Sequence, residues 1–499
     1  MSDFFSGIMR KLYGSSGGRS SSAIFLFNTL TGKKELFQPL REGNVGMYHC
    51  GPTVYDFAHI GNLRAYVFAD TLKRLFLYQG FKVKQVINIT DVGHLTDDAD
   101  QGEDKVELGA RRLGKSAKEI TDKFTASFLE DLAALNVDTN RTLFPRATEH
   151  IAEQIAFIKT LEEKGYVYLT PDGVYFDTSL FKRYGVLGGV NLAGLKEGAR
   201  VEKNPNKRNP TDFALWKFSP KDVRREQEWA APWGTGFPGW HIECSVMSMK
   251  YLGRTFDIHT GGVDHIPIHH NNEIAQSESL SGRPFVRYWL HVEHLRVEGR
   301  KISKSLGNTI FLKNLVDRGY SPLALRYLFL TTHYRSPENF TWEALEAAQK
   351  AIFKAHRHFV EDLGLKNGKI LTDYQKSFFD RVADDLNLPD ALAVFWELVK
   401  DQKLAKPDKR VTILDFDRIL GLGFSESAEE LARMTGRRIP LDVLPSAVAK
   451  MVTEREEARQ SKDWPRADRL REKIIESGYF LEDTPQGVII REGGGRKKF

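Results

Sequence analysis

Cysteine is nearly absent: Cys50 and Cys244 are the two in 499 residues. One bridge would staple little of so long a chain. A disulfide scaffold is therefore excluded, and the usage fits a reducing, cytoplasmic compartment. Long apolar runs are missing too. No stretch approaches eighteen consecutive apolar residues, which excludes a membrane-spanning helix and leaves no membrane partner. Residues 1–22 lack the apolar core of a signal peptide and are rich in Ser and Gly, so they read as a disordered extension. A short amphipathic helix through Phe4, Phe5, Ile8, Met9 and Leu12 is the other reading. Charge of one sign is scarce as well. The 72 Lys and Arg against 66 Asp and Glu leave +6, enough for a basic stripe facing a polyanion but not for a histone-like chain. With 41% hydrophobic and 28% charged residues, disordered, collagen-like and fibrous classes are excluded. The length alone predicts about three domains.

What is present begins with a strand–helix–strand pattern. Val45 to Cys50 reads as a strand, Gly61 to Gln79 as a helix stopped by Gly80, and Val83 to Ile89 as a second strand. This is a βαβ unit, so the sheet is expected to be parallel. Ser116 and Glu119 form a capping box ahead of a helix carrying Ile120, Phe124, Phe128, Leu132 and Leu135. From about Asn140 the pattern changes: a helix marked by Ile151, Ile155 and Ile158 precedes a hairpin, Tyr166 to Phe176, turning at Pro171-Asp172-Gly173. Lys196 to Pro210 is loop-like. The α/β pattern resumes with a helix from Trp240 to Tyr251, a strand from Phe256 to Ile258 entering a Gly261-Gly262 turn, and a helix from His269 to Ser279. After Thr341 the chain is helical, with apolar stripes at Leu345, Ala348, Ile352, Ala355, Phe359 and at Tyr374, Phe378, Val382, Leu386. Two last helices, Ser446 to Ser461 and Pro465 to Ser477, precede a hairpin from Tyr479 to Arg491, and the Gly-rich tail from Gly493 reads as mobile.

Four sets of residues carry chemistry. His59-Ile60-Gly61-Asn62 stands at the first strand-to-helix junction, where free N–H groups face a phosphate, the glycine admits a nucleotide and an imidazole can donate to phosphate oxygens. Lys301-Ile302-Ser303-Lys304-Ser305 places two cations on a glycine-flanked loop, suited to a triphosphate. Cys50, Cys244, His269 and Glu273 offer two thiolates, an imidazole and a carboxylate, a donor set for tetrahedral zinc. The spacing leaves alternatives open: the cysteines can be small buried hydrophobes, and His270 competes with His269. Arg459, Trp464, Asp468 and Asp483 suit single-stranded bases by stacking and base-edge hydrogen bonds, or a capped helix with a packed Trp.

The first two motifs, about 240 residues apart, resemble the HIGH and KMSKS signatures of class I aminoacyl-tRNA synthetases, with Asn62 in place of His and Ile302 in place of Met. Met47 to Asp56, Gly239 to Ser245 and His269 to Gln276 resemble the zinc segments of the cysteinyl-tRNA synthetase family, and the resemblance runs from about Ile24 to Arg491. It implies that Cys50, Cys244, His269 and Glu273 bind one Zn2+ per chain. It also implies that Thr53, Trp240 and His259 surround bound L-cysteine. His59, Gly61, Asn62, Asp264 and Lys304 would contact ATP with its Mg2+, with His59, Lys301 and Lys304 catalytic. Arg459, Trp464, Asp468 and Asp483 would read the anticodon loop of tRNA(Cys).

The fold class expected is α/β. A Rossmann-like parallel sheet catalytic domain with an insertion is followed by a helical bundle and a small C-terminal mixed α/β domain. Its parts are residues 23–140 and 236–282 for the two catalytic halves, 141–235 for the insertion, and 283–340 for a stem-contact region bearing the Lys301 loop. The bundle takes 341–437 and the anticodon-binding domain 438–499. The expected activity is ATP-dependent joining of cysteine to tRNA by a cytoplasmic monomer, with the insertion too short for an editing module. A cysteine ligase with an amino-sugar acceptor and a non-catalytic RNA-binding relative are the alternatives.

Overall fold

The computed structural model describes residues 23–97, 101–189, 206–220, 225–303, 307–364, 366, 368–427, 437–484 and 487–492. The extension at residues 1–22, most of the Lys196–Pro210 loop, Lys304 and the Gly-rich tail lie outside these residues.

At the centre is a five-stranded sheet of β1 (Asn44–His49), β2 (Lys82–Ile87), β3 (Thr142–Leu143), β4 (Phe256–Gly262) and β5 (Val286–Val292), in the order β5-β4-β1-β2-β3. Every pairing is parallel. Val45, Met47, Tyr48, Val83, Val86, Ile87 and Ile258 are buried, as expected of strands covered on both faces. The chain moves outward from β1 through β2 to β3, then returns to lay β4 and β5 on the other side of β1. The reversal lies between β1 and β4. At their carboxyl ends the connections diverge and open a crevice.

Helices α1 (Ile60–Tyr78), α2 (Ala117–Ala134), α3 (Trp240–Leu252) and α4 (Asn271–Ser281) connect or cover the strands. The capping box of α2 is formed by Ser116 and Glu119. The insertion builds a four-stranded antiparallel sheet in the order Gly236–Pro238, Phe213–Phe218, Gly173–Phe176, Val167–Thr170. Its apolar face, with Val174, Phe213, Leu215 and Trp216, packs with Ile242 and Val246 of α3 and Ala275 of α4. This packing fixes the two helices that carry much of the site.

The bundle comprises α5 (Trp342–Arg357), α6 (Thr372–Ala383), α7 (Leu388–Lys400) and α8 (Lys406–Leu420). Its core is continuous with that of the parallel sheet. Arg326 and Asp70 form a fully buried pair at 2.6 Å across this junction, and Arg74 holds the same carboxylate at 2.7 Å. The last unit, α9 (Ser446–Gln460), α10 (Trp464–Glu476) and the hairpin Tyr479–Thr484/Gly487–Glu492, has its own small core of Leu444, Val448, Val452, Ile474, Leu481 and Ile490.

Three sequence expectations change. The strand from Phe256 does not stop before Gly261-Gly262 but runs through both, because they pair with His291 and Val292 of β5. The helix expected from His269 begins as a wide turn at Ile266–His270 and becomes α-helical at Asn271. The strands Phe213–Phe218 and Gly236–Pro238 extend the expected hairpin into a sheet.

Candidate active site

Cys50 follows β1 directly, and its N–H donates to Thr260 O of β4 at 3.2 Å. The sharp exit requires Gly51: a Cβ there would lie 1.4 Å from Asn88 O. Asn88 Oδ1 accepts from Gly51 N at 2.8 Å and lies 3.8 Å from Cys244 Sγ. Cys244 is in the second turn of α3, fully buried. His269 closes the wide turn and Glu273 sits in the first turn of α4. Three segments distant in sequence thus bring Cys50, Cys244 and the His269–Glu273 pair together, one ligand atom from each of the four residues within 4.8 Å of all the others. A second set, Cys50, His259, His270 and Glu273, meets the same limit.

Every ring of the two sets is held by neighbours. His259 Nε2 faces Glu273 Oε2 at 3.0 Å, and His270 Nε2 faces Cys50 Sγ at 3.3 Å. His270 Nδ1 is held by His291 Nε2 at 2.7 Å. His269 Nδ1 is engaged by His241 Nδ1 at 2.9 Å, and its buried Nε2 stands 3.1 Å from Glu273 Oε1. Ring nitrogens, two sulfurs and a carboxylate in one small volume suit a borderline-soft divalent cation.

The electrostatics agree. Burial opposes ionisation of Cys50, yet the Cys244 thiol and the imidazoles of His270, His265 and His269 outweigh it and hold the Cys50 thiol well below the ordinary range. Burial and the neighbouring Cys50 push Cys244 well above it. His269, despite burial, is raised to about 10 by Cys50 and Glu273. Binding a metal here would release the protons these groups carry.

Beside the cluster, the Thr53 hydroxyl meets His94 Nδ1 at 2.5 Å, and His94 stacks on Trp240 with centroids 4.1 Å apart at 9°. The Trp240 ring lies 4.4 Å from that of His269. Thr53, His94 and Trp240 so form one wall next to the Cys50–Cys244–His269–Glu273 cluster. His259 is fully buried behind Glu273, stacked on Trp289 at 4.5 Å. The contribution of His94 was not visible in sequence; the only local signal is a histidine following Gly93 at the end of the β2 segment.

His59 caps α1. Its Nδ1 accepts from Asn62 N, and Asn62 Oδ1 accepts from His59 N, both at 3.2 Å. A Cβ on Gly61 would lie 2.9 Å from Ile302 Cδ1. The two signature-like motifs therefore touch. Ile60 N also donates to Ile310 O at 2.9 Å. Lys301 ends a two-residue strand, exposed, and Asn308 closes its loop by accepting from Ser303 N at 2.9 Å and donating to Lys301 O at 3.0 Å. Asp264 is exposed in the short turn after β4.

At the far end of the chain, Trp464 is 53% exposed and Asp468 is exposed. Arg459 donates to Asp483 at 2.8 Å and lies over the Trp464 ring, 5.9 Å from its centroid. Asp483 is also gripped by both Nη atoms of buried Arg455, at 2.5 and 2.7 Å. Arg455 escaped the sequence reading because it falls among exposed charges on α9.

Comparisons with known proteins match this arrangement. Residues 36–350 match the family described as "tRNA synthetases class I (C) catalytic domain", and residues 441–492 match the "Cysteinyl-tRNA ligase anticodon binding domain". A cysteine–tRNA ligase of Burkholderia lata is 50% identical over 93% of this chain and 96% of its own length. One from Thermus thermophilus is 40% identical over 93% and 98%. Among solved structures, Mycobacterium tuberculosis methionyl-tRNA synthetase with methionyl-adenylate superposes with a TM-score of 0.54 at 15% identity, over 79% of this chain and 94% of that one, a likeness of fold. Among the described residues no helix is long and apolar enough to cross a membrane. With both family matches in their expected order and relatives 40–50% identical along nearly the whole chain, this protein belongs to the cysteinyl-tRNA synthetase family of class I tRNA synthetases.

Proposed function

We propose that this chain is an ATP-dependent ligase that activates L-cysteine and joins it to the 3′ end of tRNA(Cys), acting as a cytoplasmic monomer. The observation that carries this is the convergence of two thiols, a buried imidazole nitrogen and a carboxylate beside the Thr53–Trp240 wall. Cys50, Cys244, His269 and Glu273 would hold Zn2+. They are favoured over the His259–His270 set because they use both sulfurs, the softest donors present, and because the family resemblance falls on them. Bound zinc supplies a bond to thiolate sulfur that the hydroxyl of serine matches poorly, a discrimination an apolar pocket could not make.

The rest follows from position. Thr53 and Trp240 would flank the cysteine, while His259 would orient Glu273 from behind. His59, Gly61 and Asn62 at the start of α1, with Asp264, would receive ATP and its Mg2+. The cysteine carboxylate attacks the α-phosphate, the bond to the β-phosphate breaks, and pyrophosphate leaves. Lys301 and Lys304 would neutralise charge growing on that leaving group. The terminal adenosine hydroxyl of tRNA then attacks the adenylate carbonyl and AMP leaves. Both steps need orientation rather than a protein nucleophile. Residues 23–140 and 236–282 would perform this chemistry, 141–235 and 283–340 would border the acceptor end, and 438–499 would meet the anticodon, with Trp464, Arg459, Asp468 and Asp483 at the contact.

The test is charging of total tRNA by the purified protein with labelled cysteine or serine, ATP, Mg2+ and Zn2+. Base-labile, RNase-sensitive cysteine label without serine label is expected. Cysteine-dependent pyrophosphate exchange without tRNA label would move the acceptor elsewhere, and loss of both would leave an RNA-binding protein.

A further inference from the structure

A second cavity, of about 680 Å3, lies at the opposite end of the parallel sheet. The amino ends of β1, β2 and β4 border it, through Asn44, Lys82 and Phe256. At roughly 3.3 Å per residue, the length of β1 puts it about 20 Å from Cys50, so it is separate from the site described above. Five cations line it: Arg41, Lys82, Lys84, Arg254 and Arg283. Lys84 Nζ donates to Tyr251 O. The side chains of the other four are exposed, and none has a hydrogen-bond or ion-pair partner among the described residues.

The single carboxylate in the lining does not neutralise them. Asp257 is buried and accepts from Leu40 N at 2.6 Å and Gly46 N at 2.8 Å, so its oxygens face the backbone that shapes the cavity wall. Four unpaired cations held around one concavity repel one another. An anion of comparable charge relieves that repulsion, and a low-dielectric wall strengthens the attraction. The cations line one hollow, which fits a short, flexible, multiply charged chain better than an extended nucleic-acid backbone. The volume is that of a small-molecule site.

We infer that this cavity binds a phosphoanhydride chain, either free inorganic polyphosphate or the phosphate tail of a nucleotide. Titration calorimetry tests it, using the full zinc-loaded chain at low salt with the catalytic site filled by a non-hydrolysable cysteinyl-adenylate analogue. Inorganic tripolyphosphate should bind one site per chain, with affinity falling as salt rises. Arg254→Glu with Arg283→Glu should weaken it at least about tenfold. Lys159→Glu with Lys400→Glu, the same change in charge on exposed helix positions outside the cavity, should leave it within about twofold. Arg254→Gln with Arg283→Gln should give a smaller loss in the same direction, which keeps the test open if the reversal disturbs folding. Guanosine triphosphate binding much tighter than tripolyphosphate identifies a nucleotide; equal binding identifies the inorganic chain. Absence of binding, or equal losses in both charge-reversal pairs, overturns the site. Binding of a short single-stranded RNA without tripolyphosphate binding also overturns it, in favour of an extended backbone.

Discussion

Around Cys50 the polar groups are buried and face one another, His269 Nε2 lying 3.1 Å from Glu273 Oε1. At Trp464 the ring stands in solvent beside Arg459, which with Arg455 holds Asp483. The first region gathers ionisable groups away from water. The second leaves an aromatic face open. Buried ionisable groups are costly unless they are paired or hold an ion. An exposed aromatic costs little and waits for a flat partner. The contrast separates a buried cluster that could hold an ion from an exposed aromatic face open to solvent.

The sharpest way to break the comparison is Cys244→Ser. Metal content, measured by elemental analysis, should fall from one per chain to a small fraction. Cysteine-dependent pyrophosphate exchange should drop by more than the roughly 10–100-fold typical of losing an outer partner. Retained stoichiometric metal would make the cluster an ordinary buried polar knot. Next in size is His241→Ala, which frees His269 Nδ1. Metal affinity from chelator competition should weaken by about 10–100-fold with the fold intact by circular dichroism.

On the other side of the comparison, Trp464→Ala should cost about 1–3 kcal/mol in kcat/KM for tRNA charging. Pyrophosphate exchange should be unaltered, and the change in stability should stay within about 0.5 kcal/mol. A large loss of stability would show that the ring packs rather than waits. The smallest effect concerns Asp483, whose carboxyl is held below its usual range by hydrogen bonds from Arg455 and by the charges of Arg455 and Arg459. A lowered folded value means that this stabilisation is fully present above the unfolded value, about 3.9, and is lost as pH falls below it. Acid unfolding of the last unit, followed by Trp464 fluorescence, should become less steep below about pH 4 in Asp483→Asn. An unchanged profile would remove the ion pair from the stability of this unit.

The same two regions explain what the sequence could convey. The C-terminal pair of helices and hairpin is made of neighbours in sequence, so its boundaries were legible to within a residue or two. Arg455 was not, because burial of an arginine depends on a partner 28 residues away. The metal cluster is the opposite case. Its candidate ligands come from three segments, and no local spacing distinguishes His269 from His270; the family resemblance singles out His269, while each ring belongs to a set of four residues that could hold an ion. The wide turn before α4 and the run of β4 through two glycines were hidden for a related cause. Both are imposed by tertiary partners, the β5 strand above all, against the local tendency of Gly-Gly to turn. His94 was hidden because stacking on Trp240 is a contact between distant segments.

The contact of Gly61 with Ile302 makes two widely separated stretches of sequence into a single mechanical joint. Any bulk added at the first position must be absorbed by the second, since the tip of Ile302 already occupies that space. Across descendants of this chain the two positions should therefore change together, and an engineer who edits one should edit the other. Ile302, next to Lys301, rests on the helix start that would receive the nucleotide, so a displacement of either is felt at once by its counterpart.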